Sequence, residues 1–142
     1  METNQTKFMP HALETIKFFH SKHIVLGLVT SSARAEVNII LRENGLGNYF
    51  SSVVTKDDVR RYKPDPEPYD LSARSLGFFK SNYIVFEDSL SGVMSARSAG
   101  LLCYAVQNHE GERNKLRNHA DLVFTDLGEA RHYLVDNRII ED

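Results

Sequence analysis

Short apolar runs along the chain end abruptly in polar residues, and between them apolar residues recur at helical spacing. A short apolar run bounded by polar residues indicates a strand that is buried on both faces of a sheet. Five such runs predict strands, at residues 24–29, 52–55, 84–86, 101–106 and 121–124. Strands that alternate with helices favour βαβ units, so we expect a parallel sheet covered by helices.

Helix start and stop signals mark the stretches between the predicted strands. Pro10 is expected to open the first helix, since proline at a first helical position loses no hydrogen bond. Asp65 is expected to cap another helix with Pro66 at its first position, and Ser89 to cap the next one. Glycines predict three helix ends, at Gly45, Gly77 and Gly100. The predicted helices cover residues 10–21, 33–44, 66–76, 90–99 and 126–135, whereas residues 109–119 are expected to form a solvated basic surface.

The composition and charge argue against several classes of protein. The 142 residues carry 17 Lys and Arg against 19 Asp and Glu, a balance that argues against a nucleic-acid or anionic-membrane surface. No apolar run approaches the roughly 20 residues that span a bilayer. The first residues lack a secretion-signal pattern, and Cys103 is the single cysteine, so no internal disulfide can form. We expect a cytoplasmic protein with a core domain over residues 10–136, a polar lead over 1–9 and a tail over 137–142.

Polar side chains of three chemical kinds follow the predicted strands. The first strand is followed by three hydroxyl residues, Thr30, Ser31 and Ser32. A hydroxyl turn before a helix can hold an anion through side-chain and backbone donors. Lys63, fixed before a proline, supplies a positive charge, and Glu87 with Asp88 supplies adjacent carboxylates of the kind that bind Mg²⁺. Together these groups provide what phosphoryl transfer requires, which is charge neutralisation, a metal and positioning.

Each of these groups also has a purely structural interpretation. The hydroxyl residues can cap the following helix, Lys63 can be a solvated loop lysine, and the two carboxylates can cap a helix and interact with its dipole. Parallel sheets, however, bind ligands at the carboxyl ends of their strands. The ordered occurrence of all three groups therefore favours one site over three unrelated features.

Three segments of the chain, taken in order, resemble the haloacid dehalogenase-like (HAD) superfamily. They read Leu-Val-Thr-Ser-Ser at residues 28–32, Lys-Pro-Asp-Pro-Glu-Pro-Tyr at 63–69 and Val-Phe-Glu-Asp-Ser at 85–89, followed by Gly92 and by Ala-Gly at 99–100. The sequence is similar to the branch that holds β-phosphoglucomutase and phosphoglycolate-phosphatase-type enzymes, and the similarity runs from about residue 8 to about residue 135. The resemblance implies a Rossmann-like three-layer α/β sandwich with a mainly parallel sheet.

The resemblance also implies a role for each candidate residue. Thr30 resembles the hydroxyl of the family's second motif, which hydrogen-bonds the transferring phosphoryl group, and Ser31 and Ser32 would add contacts beside it. Lys63 resembles the lysine of the third motif, which neutralises the phosphate and the nucleophile.

The acidic pair after the third strand resembles the family's metal motif. Asp88 would be a Mg²⁺ ligand, and Glu87 a direct or water-mediated one. Enzymes of this family form an aspartyl-phosphate, which is covalent catalysis by a carboxylate.

One family feature is not found in this sequence. Family members begin with a strand ending in Asp-x-Asp, whose first Asp is the nucleophile, and neither that strand nor the helical cap is present here. Asp57-Asp58 follows the wrong strand, and Asp65 starts a helix. The missing strand would lie centrally, between the strands ending at Thr30 and Glu87, and would leave two unpaired edges. We expect a truncated chain that is inactive alone and needs a complementing segment, self-association or a rearranged sheet.

These expectations define two alternative functions. The first is the core of a Mg²⁺-dependent phosphatase or phosphomutase acting on a small phosphorylated metabolite. The second is a non-catalytic HAD-fold module that acts by binding a partner.

Overall fold

Five short strands in the described part of the chain form two separate parallel sheets. The computed structural model describes residues 11–141, so Pro10, the lead over residues 1–9 and Asp142 lie outside the described residues. The strands are β1 (Gly27–Val29), β2 (Ser52–Val54), β3 (Ile84–Glu87), β4 (Leu102–Val106) and β5 (Leu122–Phe124). β1 pairs with β2, and the second sheet has the order β3-β4-β5. The sheet is thus divided between β1 and β3, where the resemblance predicts a missing strand.

Six α-helices in residues 11–141 cover the strands on both faces. They are α1 (Ala12–Ser21), α2 (Arg34–Glu43), α3 (Glu67–Leu76), α4 (Leu90–Ser98), α5 (Glu110–Leu116) and α6 (Leu127–Asp136). Helices α3, α4 and α5 share one core cluster with the strands, around Tyr69, Val93 and Cys103. Helices α1, α2 and α6 supply the core clusters of the other face, around Phe19, Leu41 and Leu134. The predicted three-layer α/β architecture with parallel strands is confirmed.

Aromatic and aliphatic packing holds β3, β4 and β5 against α1 and α6. The rings of Phe19 and Phe86 are stacked with centroids 6.1 Å apart, and Phe86 meets Tyr104 edge to face. Tyr104 in turn contacts Phe124 with centroids 5.6 Å apart. Apolar burial of this kind is the main stabilising contribution to such a layer. It fixes the position of the β3 end, at which the acidic pair lies.

The first predicted strand differs from the observed one. The apolar run at residues 24–29 was expected to be buried on both faces, but β1 covers only its last three residues and Val25 is 45% exposed. The physical reason is that β1 has a strand neighbour on one edge only, so the run is not enclosed by a continuous sheet.

Two helix predictions also need correction. Helix α3 has Pro66 as its N-cap rather than Asp65, because the Asp65 carboxylate accepts a hydrogen bond from the Glu67 N–H, 2.9 Å away, and closes a turn just before the helix. Residues 109–119 were expected to be only a basic surface, yet they contain α5, which is capped by His109 and anchored by the buried Leu116.

The glycine and serine signals are confirmed. Gly77 and Gly100 have φ angles of 79° and 82°, in the left-handed region that ends a helix. The Ser89 hydroxyl accepts a hydrogen bond from the Gly92 N–H, as expected of the cap of α4. No helix in residues 11–141 has the length and apolarity that crossing a membrane requires.

Candidate active site

The carboxyl ends of β1 and β3 meet at one cavity of about 520 Å³. All six residues singled out from the sequence line it: Thr30, Ser31, Ser32, Lys63, Glu87 and Asp88. They come from three segments of the chain that are separated by at least 24 residues. The hydroxyl turn follows the carboxyl end of β1, the acidic pair lies at the carboxyl end of β3, and the Lys63 ammonium contacts both strand ends.

The hydroxyl turn after β1 is held by its own hydrogen bonds. The Thr30 hydroxyl accepts a hydrogen bond from the Ser32 N–H at 3.1 Å, and the Ser32 carbonyl accepts one from the Lys56 N–H. Thr30 and Ser32 are half-buried, whereas Ser31 is exposed. The turn therefore presents hydroxyl groups in a fixed loop, which is what an anion-binding site needs.

Lys63 bridges the ends of the two sheets. Its ammonium lies 2.6 Å from Glu87 Oε2 and also donates to the Val29 carbonyl, 3.3 Å away at the end of β1. The Lys63 side chain is 11% exposed and that of Glu87 is 8% exposed. A buried charge of this kind is retained only when it is paired and hydrogen-bonded. The pair therefore places one positive and one negative charge in the wall of the cavity.

Tyr69 of α3 is a site residue that sequence reasoning missed. Its hydroxyl donates a short hydrogen bond to Glu87 Oε2, and its ring lies 5.5 Å from the Lys63 ammonium. Burial, and then the negative charge of Glu87, raise the pKa of Tyr69 well above its ordinary value. Tyr69 is therefore a neutral donor that helps to hold the Glu87 carboxylate. The only sequence signal was its position in the Lys-Pro-Asp-Pro-Glu-Pro-Tyr segment.

Gly92, in the first turn of α4, permits the close approach of Glu87 to that helix. A Cβ atom added at Gly92 would overlap the Glu87 carboxylate. The first turn of a helix carries free N–H groups and the positive end of the helix dipole. A carboxylate is favoured beside this first turn. Glu87 therefore contacts two elements, the first turn of α4 and the loop that carries Lys63.

Asp88 differs from its neighbour in exposure. It is exposed, and its side chain makes no hydrogen bond or ion pair with the described residues, while its carbonyl accepts a hydrogen bond from Gln107 Nε2 at 3.0 Å. No group of three or more His, Cys, Asp or Glu side chains within residues 11–141 is arranged to hold a metal ion. Mg²⁺, however, is commonly held by one or two carboxylates, with waters and phosphate oxygens completing its shell. Asp88 and Glu87 supply that number of carboxylates, so the donor set fits Mg²⁺.

The other acidic pair, Asp57-Asp58, does not line the cavity. Asp57 accepts a hydrogen bond from the Arg34 N–H at 2.8 Å, and Asp58 forms an ion pair with the Arg34 guanidinium at 2.6 Å. A hydrogen bond from the Thr55 N–H, and then the contacts with Arg34, lower the pKa of Asp58. These two carboxylates therefore hold Arg34 and the end of β2 together, away from the cavity.

The family of this chain follows from its similarity to known proteins. The haloacid dehalogenase-like hydrolase profile matches residues 1–106 of the chain. The chain belongs to the haloacid dehalogenase-like hydrolase family. Validoxylamine A 7'-phosphate phosphatase from Streptomyces hygroscopicus subsp. limoneus is 34% identical over 121 residues, which are 84% of this chain and 55% of that protein.

Solved structures of the HAD family support the same assignment. A Thermotoga maritima structure described as a β-phosphoglucomutase has a TM-score of 0.82 and 34% identity, covering 89% of this chain and 59% of its own. CbbY from Rhodobacter sphaeroides, solved with xylulose-1,5-bisphosphate, has a TM-score of 0.77 and 26% identity, covering 85% of this chain and 55% of its own. The chain thus spans little more than half the length of these HAD relatives.

Proposed function

We propose that this chain carries the phosphate-binding and metal-binding part of a Mg²⁺-dependent phosphohydrolase site. The observation that carries the proposal is that the hydroxyl turn, Lys63 and the acidic pair line one cavity at the strand ends. These groups supply the hydrogen-bond donors, the cation and the metal ligands that phosphoryl transfer needs.

The phosphoryl group is proposed to lie between the hydroxyl turn and Lys63. Thr30 and the two serines after it donate hydrogen bonds to phosphoryl oxygens. Lys63 balances the negative charge that develops on those oxygens. Its contact with the Val29 carbonyl, 3.3 Å away, holds the ammonium at the end of β1, so little reorganisation is needed when the anion binds.

Asp88 is proposed as the direct Mg²⁺ ligand, since it is exposed and its carboxylate has no ion-pair partner among the described residues. Glu87 is proposed to act through a metal-bound water, because one of its oxygens already accepts hydrogen bonds from Lys63 and Tyr69. Bound Mg²⁺ supplies charge neutralisation and orientation of phosphoryl oxygens.

The family chemistry also requires a carboxylate nucleophile. A carboxylate oxygen attacks phosphorus while the bond from phosphorus to the substrate oxygen breaks, and that oxygen takes a proton and leaves as the alcohol. Water then attacks the acyl phosphate, which releases orthophosphate and restores the carboxylate. The carboxylates that line the cavity are Glu87 and Asp88, and both are assigned to the metal. The nucleophile is therefore proposed to come from outside residues 11–141, and the chain alone is proposed to be inactive.

The proposed substrates are small phosphorylated metabolites. Two relatives act on or bind phosphorylated compounds, validoxylamine A 7'-phosphate in one and xylulose-1,5-bisphosphate in the other. Those compounds are substrates or ligands of the relatives, and the shared chemistry is a phosphate group on a small polar molecule.

The test is Mg²⁺-dependent hydrolysis of p-nitrophenyl phosphate by this chain, measured beside Lys63→Ala. The expected result is that both proteins hydrolyse the ester at the background rate. Turnover by the unmodified chain that requires both Mg²⁺ and Lys63 would contradict the missing nucleophile. The rival function, a partner-binding module, predicts a stable complex with another protein and no affinity for phosphate.

A further inference from the structure

We infer that Gln107, at the carboxyl end of β4, is a positioning residue for Asp88, the residue proposed above as the direct Mg²⁺ ligand. This role rests on the proposed function, because it concerns the metal part of that site. Gln107 does not line the cavity, so it acts on the site through Asp88. Three features support the role: the free carboxylate of Asp88, the contact of the Gln107 amide with the Asp88 backbone, and the bonds that hold Gln107 itself.

Asp88 is a single residue between a strand and a helix cap. The register of β3 against β4 ends with Glu87 opposite Ala105, so Asp88 is the first residue beyond the paired strand. The next residue, Ser89, caps α4 with its hydroxyl, which accepts a hydrogen bond from the Gly92 N–H at 3.2 Å. The Asp88 carboxylate forms no hydrogen bond within residues 11–141. The direction of that carboxylate therefore depends on how the Asp88 backbone is held.

The side-chain amide of Gln107 holds the Asp88 backbone from the neighbouring strand. Gln107 Nε2 donates a hydrogen bond to the Asp88 carbonyl, 3.0 Å away. The backbone N–H of Gln107 is used on the other side, where it donates to the Phe124 carbonyl of β5 at 2.9 Å. The side chain thus extends the connection between β3 and β4 beyond their last backbone pair.

Gln107 is itself held by α5 and by the residues just before that helix. Its Oε1 accepts a hydrogen bond from the His109 N–H at 3.2 Å, and its carbonyl accepts one from Arg113 Nη1 at 3.0 Å. His109 in turn caps α5, because its Nδ1 accepts a hydrogen bond from the Glu112 N–H. An amide oxygen accepts and an amide nitrogen donates, so both bonds of the Gln107 side chain are made in one orientation, with Nε2 towards Asp88.

A fixed partner behind a metal ligand strengthens metal binding. Groups that orient a ligand before the metal arrives reduce the freedom that is lost on binding, and their removal lowers metal affinity. Gln107 would restrict the movement of the Asp88 backbone in this way. Helix α5 contributes no residue to the cavity lining, yet it would support the metal site through Gln107.

A purely structural role is the alternative for Gln107, because the same hydrogen bonds connect the ends of β3, β4 and β5. That role predicts lower stability on substitution and an unchanged effect of Mg²⁺ on phosphate binding. The effect of Mg²⁺ on binding therefore separates the two roles, whereas stability alone does not.

The test is isothermal calorimetry of orthophosphate binding to the 142-residue chain, with Mg²⁺ or with EDTA in its place. Gln107→Met keeps the length of the side chain and removes the amide. We expect it to weaken orthophosphate binding about tenfold with Mg²⁺ present and to leave binding in EDTA unchanged. Asn137→Leu is the control, since Asn137 Nδ2 also donates to a backbone carbonyl, that of Tyr133 at 2.9 Å, outside the cavity. It should leave both affinities unchanged.

Three results would overturn the role of Gln107. In the first, Gln107→Met loses stability in urea denaturation but keeps the full effect of Mg²⁺, which would leave a structural role alone. In the second, binding in EDTA falls as much as binding with Mg²⁺. In the third, Asn137→Leu shows the same decrease as Gln107→Met. Gln107→Ala, which adds no bulk, takes the place of Gln107→Met in these comparisons if the methionine variant does not fold.

Failure of this role differs from failure of the proposed function. If Mg²⁺ strengthens orthophosphate binding equally in the unmodified chain and in Gln107→Met, the proposed function stands and the role of Gln107 is lost. If Mg²⁺ has no effect on binding to the unmodified chain, the metal part of the proposed function fails, and the positioning role fails with it.

Discussion

The Lys63 ammonium and the Glu87 carboxylate lie 2.6 Å apart, with about a tenth of each side chain exposed. Lys63 comes from the loop before α3 and Glu87 from the end of β3, so the contact joins two elements on opposite sides of the divided sheet. Tyr69 donates to the same carboxylate oxygen. The ion pair therefore connects the two sides of the candidate site.

Lys63→Ala should lower the free energy of unfolding by about 3 kcal/mol, because it leaves a buried carboxylate without its cation. Urea denaturation measures the effect. The matched control is Lys80→Ala, since Lys80 forms an ion pair with Asp70 at 3.4 Å in which both side chains are well exposed. That pair should contribute less than about 0.5 kcal/mol. An equal decrease in the free energy of unfolding in the two variants would contradict the expected cost of leaving the Glu87 carboxylate without its cation.

Gly92→Ala should destabilise the chain by about 2 kcal/mol, because the added methyl group overlaps the Glu87 carboxylate and must displace it. The measurement is again urea denaturation. Gly47→Ala is the control, since a Cβ there meets nothing within 4 Å. Equal stability of Gly92→Ala and Gly47→Ala would contradict the close approach of the Glu87 carboxylate to α4.

Thr15→Val should raise the free energy of unfolding by about 1 kcal/mol, because it removes a buried hydroxyl without a partner and keeps the shape of the side chain. Thermal denaturation of the two proteins provides the comparison, with Thr15→Ser as the variant that keeps the hydroxyl. A loss of stability in Thr15→Val would mean that the hydroxyl has a partner.

Burial raises the pKa of the Cys103 thiol to about 12, from an ordinary value of 9.0. The folded state disfavours the thiolate, so its contribution to stability is complete below pH 9 and is lost as the pH rises from 9 towards 12. Stability should therefore fall less steeply above pH 9 in Cys103→Ala than in the unmodified chain. Denaturation curves at pH 7, 9 and 10 measure the slopes, and identical slopes would contradict the burial of the thiol.

Much of the site follows from where apolar runs give way to polar residues. The change after Val29 and the change after Phe86 predicted the strand ends that carry Thr30 and Asp88, because a parallel sheet places such ends at one edge. Gly77 and Gly100 predicted helix ends because helices often end at a residue with a left-handed φ angle, which glycine adopts readily. Both residues have such angles in the structure. These are local signals, and a sequence carries them directly.

The remaining features depend on packing between distant segments. The contact of Tyr69 with Glu87 joins residues 18 apart and arises only when α3 packs beside β3. Leu116 is the one large apolar residue of α5, so hydrophobic periodicity did not reveal this helix. The exposure of Val25 results from the divided sheet rather than from the run in which it lies.

The central claim, a phosphate site at the strand ends, is tested most directly by isothermal calorimetry of orthophosphate binding with and without Mg²⁺. We expect Mg²⁺ to strengthen binding to the unmodified chain and to Lys80→Ala. Binding should fall at least tenfold in Lys63→Ala, and Asp88→Asn, an exposed position that should keep the fold, should lose the Mg²⁺ dependence. Undiminished, Mg²⁺-dependent binding in both site variants, or no binding to the unmodified chain, would contradict the claim.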